Sequence, residues 1–269
     1  MKEEKEYYDD IQKIFENFSE NINILEEQID LGVQMSFFEM SQEIRKKGAK
    51  KNYLESEEVL FSPDTDPEKQ KRILIGLAGT DDVKAYRILE KFLKQADSGI
   101  RDWAVLAFQE NRMLMHTSLL DEQQFLISTG LGGKGKKLRY YVVFINTERE
   151  KMLTPIQQKL VKDELVFELK NADGEFESID FAEGFSSAMV LLPMHVDLKQ
   201  LLDRVIQECN QYGNFLESDM IITNVKVLSR NEIMDIISKG SNFKLPYNMD
   251  DTDEFDDFDE LESDDDEDE

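Results

Sequence analysis

The chain has 269 residues, with 58 acidic against 32 basic side chains and a formal charge of −26. Forty per cent apolar residues suffice for a folded core, which excludes a wholly disordered chain. One cysteine excludes an intramolecular disulfide, and one cysteine with two histidines excludes the usual Cys/His zinc cluster, so no metal and no cofactor is expected.

The charge is uneven. Residues 250–269 hold 15 acidic side chains and no basic one, so 32 basic against the remaining 43 acidic residues leave −11 for the other 249 positions. The start of the chain has no apolar stretch of the kind a signal peptide needs. The longest apolar runs, Tyr140–Ile145 and Ala188–Met194, fall far short of the ~20 residues of a membrane span. No membrane association is expected, and a lone thiol fits a reducing, cytoplasmic setting.

Along the chain, Tyr8, Ile11, Phe15, Phe18, Ile22, Leu25 and Ile29 recur at spacings of three and four. This predicts an amphipathic helix over residues 4–30. A second helix, 33–47, ends in the basic cluster Arg45, Lys46, Lys47, Lys50 and Lys51, with Gly48 as a break. Residues 55–66 are polar, contain Pro63 and read as a loop. Asp66 before Pro67 is an N-cap with proline at the first helical position. Gly79 closes that helix and Thr80 is placed to cap the next, 81–95, which buries Val83, Tyr86, Leu89 and Leu93 or their neighbours. After Asp97-Ser98-Gly99 a helix opens at Ile100-Arg101 and runs to His116, with Trp103 on its apolar side.

A helix ending near Gln95, Asp97 in the turn, Ile100-Arg101 and the small apolar run Ala104–Phe108 together resemble a HEAT repeat unit over residues 81–116. The resemblance implies a helical pair of the type that stacks and holds partner proteins on its surface. Stacked arrays need about three units. The sequence offers one, with the 67–78 helix as a possible second, so a helical domain with a HEAT-like portion is expected over 1–118.

Beyond residue 121 the pattern turns to strands. Gln124–Thr129 and Leu138–Asn146 flank a glycine- and lysine-rich loop and read as a hairpin. Thr154-Pro155-Ile156-Gln157 is a capping box opening a helix to Lys170. Glu175–Phe181 and Phe185–Leu192 form a second hairpin. Asp197 caps a helix with a stripe from Leu198 through Cys209 to Tyr212, and Met220–Leu228 is a strand. Ser229 and Glu232 open a last short helix to Ser238. Strand, helix, strand, strand, helix, strand is the order of the ferredoxin-like split βαβ unit. The expected fold is therefore α+β: a helical domain over 1–118, a ferredoxin-like domain over 122–240 and a disordered acidic tail over 241–269.

No catalytic constellation emerges, and the protein reads as a non-enzyme. Gly130-x4-Gly135-Lys136 has P-loop spacing, but Lys137 stands where Ser or Thr should hold magnesium, and a strand follows where a helix is needed. Lys134, Lys136, Lys137 and Arg139 remain a candidate contact for nucleic acid or phosphate on a flexible tip. Gly184-Phe185-Ser186 loosely resembles a nucleophile elbow, with His195 and Asp197 nearby in sequence, but Ser186 begins a strand instead of ending one. His116 reads as a helix-terminal residue, and Cys209 as a buried structural thiol.

The tail carries the strongest functional signal. Phe255, Phe258 and Leu261 lie three residues apart, each separated by acid. Such a segment folds onto a partner that offers an apolar groove with a basic rim. The leading expectation is an adaptor or acidic chaperone for a basic protein partner, anchored by these three residues. The alternative is nucleic-acid binding by Gly130–Arg139, autoinhibited by the tail.

Overall fold

The computed structural model describes residues 21–46, 52–120, 122 and 124–239. They fall into two compact units, one reaching to Val227 and one beginning at Leu228. The fold is α+β, with helices leading and a sheet following.

The helical part holds α1 (Leu31–Lys46), α2 (Glu57–Phe61), α3 (Pro67–Ala78), α4 (Val83–Leu93) and α5 (Arg101–Leu120). Local chemistry sets their ends. The Asp66 carboxylate accepts from the Lys69 N–H at 3.3 Å, Pro67 takes the first turn, and the Gly79 N–H donates to the Ile75 carbonyl. Asp82, not Thr80, caps α4, accepting from the Lys84 N–H at 2.7 Å. The Thr80 hydroxyl instead donates to the Gly76 carbonyl, closing the helix before it. The Asp97 carboxylate accepts from the Gly99 N–H and ties the turn into α5, which runs four residues beyond His116.

These helices enclose one core, in which Leu60, Leu74, Leu77, Leu89 and Trp103 meet Phe37 of α1. The Trp103 and Phe37 rings lie 5.7 Å apart. On α4 the buried stripe is Ala85, Ile88, Leu89 and Phe92, while Val83 is 61% exposed. Leu89 is common to both stripes, Tyr86 and Leu93 lie half-buried at the margin, and the neighbours Ala85, Ile88 and Phe92 take the centre. Fully buried Asn111 of α5 donates its amide to the carbonyls of Leu77, Ala78 and Thr80, at 3.1, 3.2 and 2.8 Å, satisfying the end of α3.

Two expectations fail here. Residues 22–30 are not helical. Ile22–Ile24 form strand β1, parallel to β2 (Phe125–Ile127), with Ile22 opposite Phe125. Ile22, Leu25 and Ile29 are all buried, as the stripe demands, but extended backbone does it, and the alternation Ile-Asn-Ile turns both isoleucines inward. The 4–20 portion of that expected helix lies outside the described residues. The 55–66 loop is also not a loop throughout. Tyr53–Ser56 is a 3-10 turn leading into α2, because Leu60 reaches the core.

The sheet part holds β3 (Gly133–Lys134), β4 (Lys137–Asn146), α6 (Pro155–Asn171), β5 (Glu175–Ala182), β6 (Phe185–Pro193), α7 (Leu198–Asn210) and β7 (Leu216–Thr223). The strand order is β7-β4-β6-β5 with antiparallel neighbours throughout, and β3 pairs with the start of β4. This is the split βαβ order. Val142, Phe144, Ala188, Val190 and Leu192 face Val161, Leu165 and Leu169 of α6 and Leu201, Leu202, Val205 and Cys209 of α7. Thr154 and Gln157 form the capping box of α6, and Asp197 caps α7 by accepting from the Gln200 N–H at 2.9 Å. Tyr212 lies beyond α7 and is exposed.

The first expected hairpin does not form. β2 pairs with β1 in a separate two-stranded sheet, and the hairpin partner of β4 is the two-residue β3. The last strand ends at Thr223, five residues before Leu228. In the second unit, α8 (Arg230–Lys239) opens on the Ser229/Glu232 capping box.

Candidate functional site

The glycine-rich segment 129–137 is a packed seam more than a loop. Residues 129–133 are buried and only 134–136 are exposed. A Cβ on Gly130 would stand 1.7 Å from the Val225 carbonyl oxygen. One on Gly132, whose φ is +65°, would stand 2.5 Å from that of Glu27. One on Gly133 would strike the Lys137 carbonyl oxygen and Ile24. These glycines let three backbone stretches meet with no side chain between them. Gly135 does different work: it has open space around it and φ of +59°, as the first central residue of the tight β3–β4 turn. Its N–H donates to Glu26 at 2.9 Å. The flexible tip expected from sequence shrinks to three residues on a fixed base.

The four candidate cations belong to this seam. Lys134 Nζ lies 2.8 Å from Glu175, and Lys137 Nζ lies 3.2 Å from Glu175 and 3.4 Å from Asp173. Arg139 grips Glu177 with two parallel bonds, Nε at 2.7 Å and Nη2 at 2.9 Å, and donates Nη1 to the Leu131 carbonyl at 2.8 Å. Lys136 sits on the turn itself. Glu177 has no ladder partner, because a bulge between Phe176 and Ser178 leaves it out of register on β5. The bulge frees Glu177 for Arg139 and interrupts the edge of the sheet. Hydrogen bonds from Lys134 and then Lys137 hold the Glu175 carboxyl below its ordinary range. The same bond holds the Lys134 ammonium above its own, and Glu177 does so for Arg139. Three of the four cations thus stitch the seam to β5 and its leading turn. The acidic side of this cluster was missed from sequence; Glu175 and Glu177 at alternate positions of one strand, like the cations before and within β4, are the signal that could have found it.

The nucleophile-elbow fragment does not assemble. Ser186 is fully buried at the start of β6, and His195 and Asp197 follow the other end of that strand, about 20 Å away at ~3.3 Å per residue. The Asp197 carboxylate is engaged as the α7 cap. Cys209 is buried, and burial together with Glu164 and Glu208 pushes its thiol up to about 12, which leaves almost no thiolate at neutral pH. Among the described residues no group of three His, Cys, Asp or Glu side chains is placed to hold a metal ion, and no helix is long and apolar enough to cross a membrane. Phe255, Phe258 and Leu261 lie outside the described residues, as do Lys47, Lys50 and Lys51 of the basic cluster.

No protein-family model matches the chain, and no curated protein matches it. Among solved structures it is similar to "a putative transposase" from Deinococcus radiodurans, at 16% identity and a TM-score of 0.33, over 40% of this chain and 93% of that one. A likeness at that level carries no argument about what this chain does.

Proposed function

We propose that the chain is a non-catalytic, cytoplasmic interaction protein, an adaptor or acidic chaperone that docks a basic protein partner through its C-terminal segment. The observation that carries this reading is the composition of residues 250–269: 15 acidic side chains, no basic one, and Phe255, Phe258 and Leu261 spaced through the acid. Phenylalanines add nothing to solubility, whereas apolar anchors framed by charge suit coupled folding and binding. The charge speeds encounter with a cationic surface and makes it salt-sensitive. The HEAT-like helical pair is the platform that this reading gives to the body of the partner. The competing reading, nucleic-acid binding at Gly130–Arg139, loses ground because Lys134, Lys137 and Arg139 already face carboxylates at 2.7–3.4 Å.

The test is affinity capture from native lysate with the full-length protein and a 1–249 truncation, each with and without nuclease. A basic protein retained only by the full chain and indifferent to nuclease is the expected result. Nuclease-sensitive material that increases on truncation would favour the competing reading.

A further inference from the structure

Helix α6 is apolar on two opposite sides. Its inner side supplies Val161, Leu165 and Leu169 to the core. Its outer side carries Ile156 at 80% exposure, Phe167 at 57% and Val166 at 38%. Eleven residues, about three turns, separate Ile156 from Phe167, so both lie on one stripe. Between them, on the same stripe, Lys159 and Asp163 form an ion pair at 2.7 Å, and both are largely exposed. A helix on the outside of a domain ordinarily shows water a polar face; large apolar side chains there mark a contact surface.

The order of these residues says what covers them. Read along the helix, the chemistry runs apolar, cation, anion, apolar, and it is symmetric about residue 161. A twofold axis perpendicular to the helix at that point lays an identical helix antiparallel to it and sets each residue against its counterpart at equal distance on the other side. Ile156 then meets Val166, Pro155 meets Phe167, and Lys159 meets Asp163, in both directions at once. Every apolar group finds an apolar group, and the two ion pairs close into a square of alternating charge. An unrelated partner would not require this symmetry. We infer that the outer face of α6 is an isologous interface, occupied by α6 of a second copy of this chain.

One helix from each copy makes a small interface, below the ~1,200 Å² at which stable complexes begin. The net charge of −26 repels the copies at low salt. The dimer is therefore weak, and it belongs at high protein concentration and ~0.15 M salt, where the Debye length falls to about 8 Å. Sedimentation equilibrium of the full chain from micromolar to near-millimolar concentration tests it. The expected result is a reversible monomer–dimer equilibrium, weakened about tenfold or more by Lys159→Asp, which sets two like-charged pairs across the interface. Ile156→Asp weakens it as well, and the swap Lys159→Asp with Asp163→Lys restores it. All three positions point to solvent, so these variants fold, which circular dichroism confirms. A monomer throughout the range, a dimer indifferent to Lys159→Asp and Ile156→Asp, or a swap that fails to restore association overturns the proposal.

Discussion

At the scale of single residues, the glycines of the seam divide into two kinds that the sequence writes identically. Gly130 is required by proximity, since another backbone occupies the place of its side chain. Gly135 is required by conformation alone, since its surroundings are open. Gly130→Ala should therefore cost upward of ~3 kcal/mol or prevent folding, because backbone has to move. Gly135→Ala should cost only about 1–2 kcal/mol, the strain of a left-handed φ. Urea unfolding of the two variants separates these cases, and equal losses would contradict the packing account. The P-loop-like spacing in this segment was legible, and so were the reasons to set it aside. The crowding around Gly130 and Gly132 was not, because it depends on Val225 and on Glu26 and Glu27, which lie far off in sequence.

At the scale of elements, helix caps were the most legible features. Asp66-Pro67, Thr154-Pro155, Asp197 and Ser229/Glu232 act within four residues, so local sequence contains the whole of their chemistry. Burial periodicity was legible in part. Ile22, Leu25 and Ile29 satisfy helical spacing and are buried, yet a strand partner 103 residues away in sequence decides the backbone. The run Tyr140–Ile145 reads as continuous apolar sequence because β4 is central and both of its faces are covered, with Val143 and Phe144 each fully buried. The stitch between the seam and β5 is a pairing of elements, and it is lost at both ends of the pH scale. The Glu175 carboxyl is held below 4.5 by Lys134 and Lys137, so its contribution is complete above that pH and is lost as pH falls through the lowered value. The Lys134 ammonium is held above 10.5, so its contribution is complete below that pH and is lost as pH rises through the raised value. Carboxyl NMR should therefore place the Glu175 midpoint below 4.5, and Lys134→Ala with Lys137→Ala should move it back up. A midpoint that the double substitution leaves in place would contradict the stitch.

At the scale of the whole molecule, the α+β class and the βαββαβ order were legible because strand and helix differ in period and each change is marked by a cap or turn. The strand order β7-β4-β6-β5 followed from that element order, since few topologies connect it without crossing. The separate β1–β2 sheet was not legible, because pairing between distant three-residue strands leaves no periodic signal. Function is less legible than fold, as the ferredoxin-like order serves many unrelated activities. The charge map gives the clearest lead: −11 over 249 residues and −15 over the last 20, with Phe255, Phe258 and Leu261 set in the acid. That these residues anchor a partner is the central claim, and it is separable from the charge. The most direct measurement is capture of the basic partner by the full chain and by the Phe255→Ala/Phe258→Ala double variant, which keeps every charge in place. Loss of the partner, by tenfold or more in retained amount, is the predicted result, since two apolar anchors are removed. Retention at the full-chain level would show that charge alone makes the contact and would contradict the account.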